Sequence, residues 1–154
     1  MFCATWEFGT EAFESVRMIR TRVFLEELGL PEKEVFDRAD AIAVHLLVRS
    51  GEGEPFAAAR IWPDGADTRI GLIAVLPQFR RQQLGELCLR MLLYKAQQLP
   101  GERILLRARR GTEGFYRRFG FLPIDVQSDG SGSVELFVRR DEVFWPDRCA
   151  PCAP

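Results

Sequence analysis

Residues 75–93, VLPQFRRQQLGELCLRMLL, decide how the rest of the chain is read. An apolar segment ends at Val75, a proline and two arginines follow, and a helical pattern then takes over. A helix start exposes N–H groups that have no intrahelical acceptor, together with the positive end of the helix dipole. A loop carrying Arg80 and Arg81 at that point therefore suits an anion. The same residues also suit an ordinary polar loop, and the choice between the two rests on the elements around them.

Downstream, Leu84, Cys88, Met91, Leu92 and Ala96 recur at helical spacing, which predicts a helix from Arg81 to Gln98 that the stretch LPGE ends. RILLRA, residues 103–108, reads as a short buried strand. Thr112 to Phe119 reads as a short helix closed by Gly120. FLPIDVQ and SVELFVRR flank SDGSG and predict a closing hairpin. Upstream, RIGLIAVL, residues 69–76, is a strand whose glycine marks a bulge. PFAAARIW and AIAVHLLVRS form a hairpin across GEGE. Residues 30–40 are a polar connection carrying Glu32, Glu34, Asp37 and Asp40. A helix over about residues 11–28, capped by Thr10, follows a first strand at residues 2–8. The expected order is β-α-β-β-β-α-β-α-β-β, an α/β class with a mixed sheet and helices packed on it. One domain over residues 1–146 is expected, with an irregular tail at 147–154.

The net charge of −1 gives no general attraction to nucleic acid or acidic membranes, so any basic site must be local. No segment approaches the roughly 20 apolar residues of a membrane helix, and MFCATWEF lacks the marks of a signal peptide. Cys3, Cys88, Cys149 and Cys152 are too scattered for a disulfide framework, so a reducing cytoplasm is the expectation. Cys149-x-x-Cys152 has no second ligand pair, so no metal is expected.

Three stretches resemble the GCN5-related N-acetyltransferase (GNAT) superfamily of acyl-CoA-dependent transferases. AVLPQFRRQQLGELCLRMLL is similar to that family's strand, Pro-x-x-Arg turn and R-x-x-G-x-G pyrophosphate loop. Arg80 and Gly85 match, and Gln83 stands where the middle glycine is usual. RARRGTEGFYRRFGFLPI resembles the later F-Y-x-x-x-G-F helix, with Tyr116, Gly120 and Phe121 matching and Arg109 in place of the usual asparagine or glutamine. RTRVFLEELGLPEKEVFDRADAIAVHLLV looks like the N-terminal signature of the bacterial ElaA-type branch, on Arg22, Phe24, Glu27, Asp37, Asp40 and His45.

The resemblance implies a fold, a donor and a set of roles. Acetyl-CoA would be the co-substrate, its pyrophosphate held by Arg80, Arg81, Gln82, Gln83, Leu84, Gly85 and Glu86. A backbone N–H on the strand at Ile73, Ala74 or Val75 would polarise the thioester carbonyl, with Arg109 close to the donor. Tyr116 is the candidate acid for the leaving thiolate. His45 and Glu27 are the candidate bases, although a lone histidine in an apolar strand also reads as a satisfied core residue. The acceptor would be an amine on a small molecule or peptide, and the sequence does not fix the oligomeric state, a homodimer included. A non-catalytic acyl-CoA-binding module and an RNA-associated protein using the surface from Arg107 to Arg118 stand as alternatives.

Overall fold

The computed structural model describes residues 1–11, 13–124 and 132–147. The chain starts with β1 (Phe2–Phe8) and α1 (Glu14–Arg20), which runs on as a π-helical turn over Thr21–Glu27. A short α2 (Glu32–Val35) and a 3-10 turn (Arg38–Ala41) lead to β2 (Val44–Ser50), β3 (Pro55–Asp64) and β4 (Asp67–Val75). After a 3-10 turn at Pro77–Phe79 come α3 (Leu84–Gln97), β5 (Arg103–Arg109) and α4 (Glu113–Arg117). β6 (Leu122–Pro123), β7 (Ser133–Arg139) and a 3-10 turn at Arg140–Glu142 complete the order. The expected succession of strands and helices holds, with α2 added inside the acidic connection.

The seven strands form one mixed sheet in the order β1-β2-β3-β4-β5-β7-β6. Every neighbouring pair is antiparallel except β4 and β5, which α3 joins as a crossover. That parallel ladder is short: only Thr68↔Ile104 and Arg69↔Leu105 pair. Its closed end is tight, because a Cβ on Gly101 would run into Thr68 Oγ1 and come within 2.8 Å of the Thr68 nitrogen. Glycine is required there. Beyond Arg69 the two strands part.

The bulge expected near Gly71 is what bends β4 away. Ala58 pairs with Ala74 and Arg60 with Gly71, so the single residue Ala59 faces both Leu72 and Ile73. Leu72 takes φ +50°, a strained value that persists only where its surroundings fix it. Apolar residues seal both sides of the sheet. Val16, Ile19 and Val23 from the first helical segment and Leu84, Cys88, Leu89, Leu92, Leu93 and Ala96 from α3 are all buried.

The starts of α3 and α1 differ from the sequence reading, each for a backbone reason. α3 starts at Leu84 rather than Arg81, because Arg81 and Gln83 have φ of +67° and +59° and cannot belong to a right-handed helix. α1 starts at Glu14 with Phe13 at its N-cap position and no side-chain cap, so Thr10 does not cap it. Gly9 instead turns the chain at φ +64°, its N–H donating to the Ala43 carbonyl at 2.9 Å. Most of SDGSG, and Cys149 and Cys152, lie outside the described residues.

Candidate active site

The parting of β4 and β5 opens a cleft of about 1570 Å³. Ile73 and Val75 line one wall, Arg107 and Arg109 the other, and α4 closes one end with Phe115 and Tyr116. The edge of β4 that faces β5 has no ladder partner past Arg69 among the described residues. This is the edge from which a backbone N–H can reach a ligand. Ala74 is buried and does not line the cleft.

The start of α3 forms the cleft's polar corner. Gln83 makes no side-chain cap, so the first N–H groups of a 14-residue helix are left without an intrahelical acceptor. The left-handed residues Arg81 and Gln83 curl the backbone into the kind of concavity that binds anions. Arg81, Gln83, Leu84, Gly85 and Glu86 line the cleft, whereas Gln82 does not. The Glu86 carboxylate is taken by Arg118 at 3.1 Å and Arg90 at 3.5 Å, so this residue offers its backbone rather than a free charge.

Arg80 does not extend into open space. Its Nε donates to the Val75 carbonyl at 3.0 Å, and its Nη1 and Nη2 grip the two oxygens of Glu27 at 2.6 and 2.5 Å. Glu27 ends the π-helical turn, in which Leu28 N–H donates to the Val23 carbonyl five residues back. The Arg80 hydrogen bonds hold the Glu27 carboxyl below the usual carboxylate range. Two residues expected in different roles thus form one bidentate pair across the mouth of the cleft.

Tyr116 is half-buried against Phe115 and Phe121, with ring centroids at 5.0 and 6.2 Å. Burial pushes its phenol up, and the charge of Arg109 acts the other way. The group therefore keeps its proton at neutral pH, as an acid must.

His45 lies elsewhere. It is fully buried and absent from the lining of the cleft. Its Nε2 is 3.1 Å from the Asp40 carbonyl, which only accepts, so Nε2 carries the proton and Nδ1 accepts from Arg20 Nη2 at 3.4 Å. Desolvation pulls its pKa down and keeps it neutral. The histidine belongs to a buried ionic cluster. Arg20 Nη1 donates to Asp40 Oδ1 at 2.9 Å and to the Val35 carbonyl at 3.1 Å. Arg60 Nη1 binds Asp40 Oδ1 at 3.0 Å and Asp37 Oδ1 at 2.6 Å, while its Nη2 binds Asp37 Oδ2 at 2.9 Å. The cluster fastens the acidic connection onto β2 and β3 and so fixes the roof of the cleft.

The sequence reading missed the floor. Arg60 and Trp62 on β3, Arg69 on β4 and Glu135 on β7 all line the cleft, with the Arg60 guanidinium 4.0 Å above the Trp62 ring. Charges at alternate positions of a strand, such as Arg107 and Arg109 in RILLRARR, were the available signal. Arg107 and Arg118 are ion-paired to Glu135 and Glu86, which removes much of the basic face that RNA would need. Among the described residues no three His, Cys, Asp or Glu side chains are grouped to hold a metal. Cys88 is buried, its thiol pushed up to about 12.

Residues 42–123, which run from β2 to β6 through the α3 loop and Tyr116, match the acetyltransferase (GNAT) domain family. A UPF0039 protein of Schizosaccharomyces pombe is 31% identical over 126 residues, 79% of this chain and 83% of that protein. The crystal structure of Escherichia coli ElaA superposes with a TM-score of 0.76 at 22% identity, covering 89% of this chain and 99% of ElaA. A GNAT family acetyltransferase from Elizabethkingia anophelis, solved with acetyl-CoA bound, superposes with a TM-score of 0.67 at 17% identity, covering 88% and 97%. The chain belongs to the GNAT acetyltransferase family, whose members transfer acyl groups from acetyl-CoA or another acyl-CoA.

Proposed function

We propose that this protein transfers an acetyl group from acetyl-CoA to an amine by direct attack on the thioester. The observation that carries the reading is the junction of the left-handed turn at Arg81 and Gln83 with the uncapped start of α3, opening onto the unpaired edge of β4. A donor held there places its pyrophosphate on the helix N-terminus and its thioester between β4 and β5. The edge at Ile73–Val75 supplies an N–H to the carbonyl oxygen, where negative charge develops. The neutral amine's lone pair forms the new C–N bond as the C–S bond breaks. Tyr116 gives its proton to the departing sulfur, the amine's surplus proton leaves to water at the open mouth, and water returns a proton to the Tyr116 phenolate.

Neither expected base takes a proton in this scheme. Glu27 is a weakened base while Arg80 holds it, and its role is to tie the roof to the donor loop. His45 is a core residue. Many amines reach the cleft partly deprotonated, so a dedicated base is not required for turnover.

Thermal unfolding with acetyl-CoA tests the donor assignment. A ligand at 100 times its Kd adds about 2.7 kcal/mol to a folded state that alone binds it, which reads as a clear rise in Tm. Desulfo-CoA should give a similar rise, because the pyrophosphate carries the recognition. No shift with either compound at millimolar concentration contradicts the proposal.

A further inference from the structure

The arginines of the cleft are not equivalent. Arg60, Arg69, Arg80, Arg107 and Arg118 each have a carboxylate partner within 3.1 Å. Arg81, in the loop before α3, and Arg109, on β5, line the same cleft, are exposed, and make no ion pair among the described residues; Arg81 belongs to the proposed donor loop, which leaves Arg109 for another ligand. The place of Arg109 on the floor follows from the ladder. Arg107 pairs with Glu135 and Arg109 with Ser133, and alternate residues of a strand share a face. Glu135 already serves Arg107 at 3.0 Å and Arg69 at 2.9 Å, and its carboxylate is spent on these two. The turn that begins at Arg109 is fixed as well, since both the N–H and Oγ1 of Thr112 donate to its carbonyl, at 3.0 and 2.6 Å. The rest of the lining carries Glu27, held by Arg80, Asp37, held by Arg60, and Glu34 with Lys33 next to it in the chain. On the floor, Arg109 is thus a guanidinium without an ion-paired carboxylate among the described residues.

We propose that Arg109 binds an anionic group of the acceptor, so that the preferred acceptor is an amine that also carries a carboxylate or a phosphate. The anion then faces the floor, and the amine end is left to face the thioester. Arg109 shares the lining of the cleft with Tyr116, so an anion bound to it lies in the same slot as the candidate acid. The pyrophosphate of the donor has its own site at the start of α3, so the donor does not need this arginine. This inference rests on the N-acetyltransferase reading above.

Matched acceptor pairs test it: β-alanine against β-alaninamide, and phosphoethanolamine against ethanolamine. Each is assayed by thiol release with saturating acetyl-CoA, and titrated by calorimetry into the desulfo-CoA complex. At least one anionic member is expected to exceed its uncharged partner by about tenfold in kcat/KM and in affinity, as a charge-assisted contact allows. The pair that shows the preference separates carboxylate from phosphate. R109Q should bring that ratio close to one and R109K should restore part of it, with the ratio also shrinking at high salt. A ratio near one in the unaltered protein overturns the inference, as does a ratio that R109Q leaves intact. A rise in the KM for acetyl-CoA without any change in the ratio would make Arg109 a donor ligand instead. Turnover of amines with no preference defeats only this inference, whereas absence of acetyl-CoA binding defeats the function beneath it.

Discussion

Gln83 holds a φ of +59° at the corner where backbone N–H groups face the cleft, and a left-handed conformation costs a non-glycine residue about 1 kcal/mol or more. Because the free protein already carries this strain, Gln83→Gly should show up mainly as a higher Tm, partly offset by the greater freedom of glycine in the unfolded chain. Acetyl-CoA binding, followed by titration, should tighten by no more than a few-fold, about 1 kcal/mol. Clearly weaker binding would show that the glutamine side chain touches the ligand. Tyr116→Phe removes one hydroxyl and little packing. With the phenol's proton retained through neutral pH, steady-state kinetics should show kcat reduced about tenfold or more and little change in donor affinity. Unchanged turnover would leave Tyr116 as a packing residue. At this scale the sequence was only partly legible. The motif pointed to the loop at the start of α3, but not to the grip of Arg80 on Glu27, a residue 53 positions away. The apolar strand around His45, by contrast, already favoured the core placement that the structure shows.

The buried cluster of Arg20, Asp40, Arg60, Asp37 and His45 ties α1, the acidic connection, β2 and β3 into one unit. Asp40 is shared by two buried guanidiniums, so Asp40→Asn leaves Arg20 and Arg60 short of a counter-charge and should cost roughly 3 kcal/mol in denaturant unfolding. The cluster also sets a pH dependence. Desolvation lowers the pKa of folded His45, so at acid pH the unfolded chain takes up the proton first. Its contribution is therefore fully present above about pH 6.5 and lost as pH falls below that value. His45→Gln should flatten that part of the stability profile. A second loss, from Asp37 held low by Arg60, belongs below about pH 4 and should survive in the variant. Elements were the most legible scale, because apolar periodicity and Gly71 pointed to the strands, the helices and the bulge. The starts of α1 and α3 were misplaced, since left-handed residues and uncapped first turns leave little trace in apolar spacing.

Across the whole molecule, one short parallel ladder between β4 and β5 and one bulge at Leu72 and Ile73 convert a continuous sheet into a slot for a ligand. The element order could suggest this architecture, but the depth of the slot depends on the tight approach of Gly101 to Thr68 and on where the ladder stops. Gly101→Ala should consequently lower Tm more than a change at Gly114, where an added Cβ meets nothing within 4 Å. Equal shifts in thermal unfolding would mean that the closed end of the slot yields easily. The central claim is that the slot brings a thioester to an amine. Free thiol and acetylated amine, quantified together in one reaction with acetyl-CoA and an amine panel, address it directly. The account predicts equal amounts of the two products, formed only when an amine is present and much more slowly with Tyr116→Phe. Acetyl-CoA binding without thiol release above the buffer rate, for every amine offered, would contradict it.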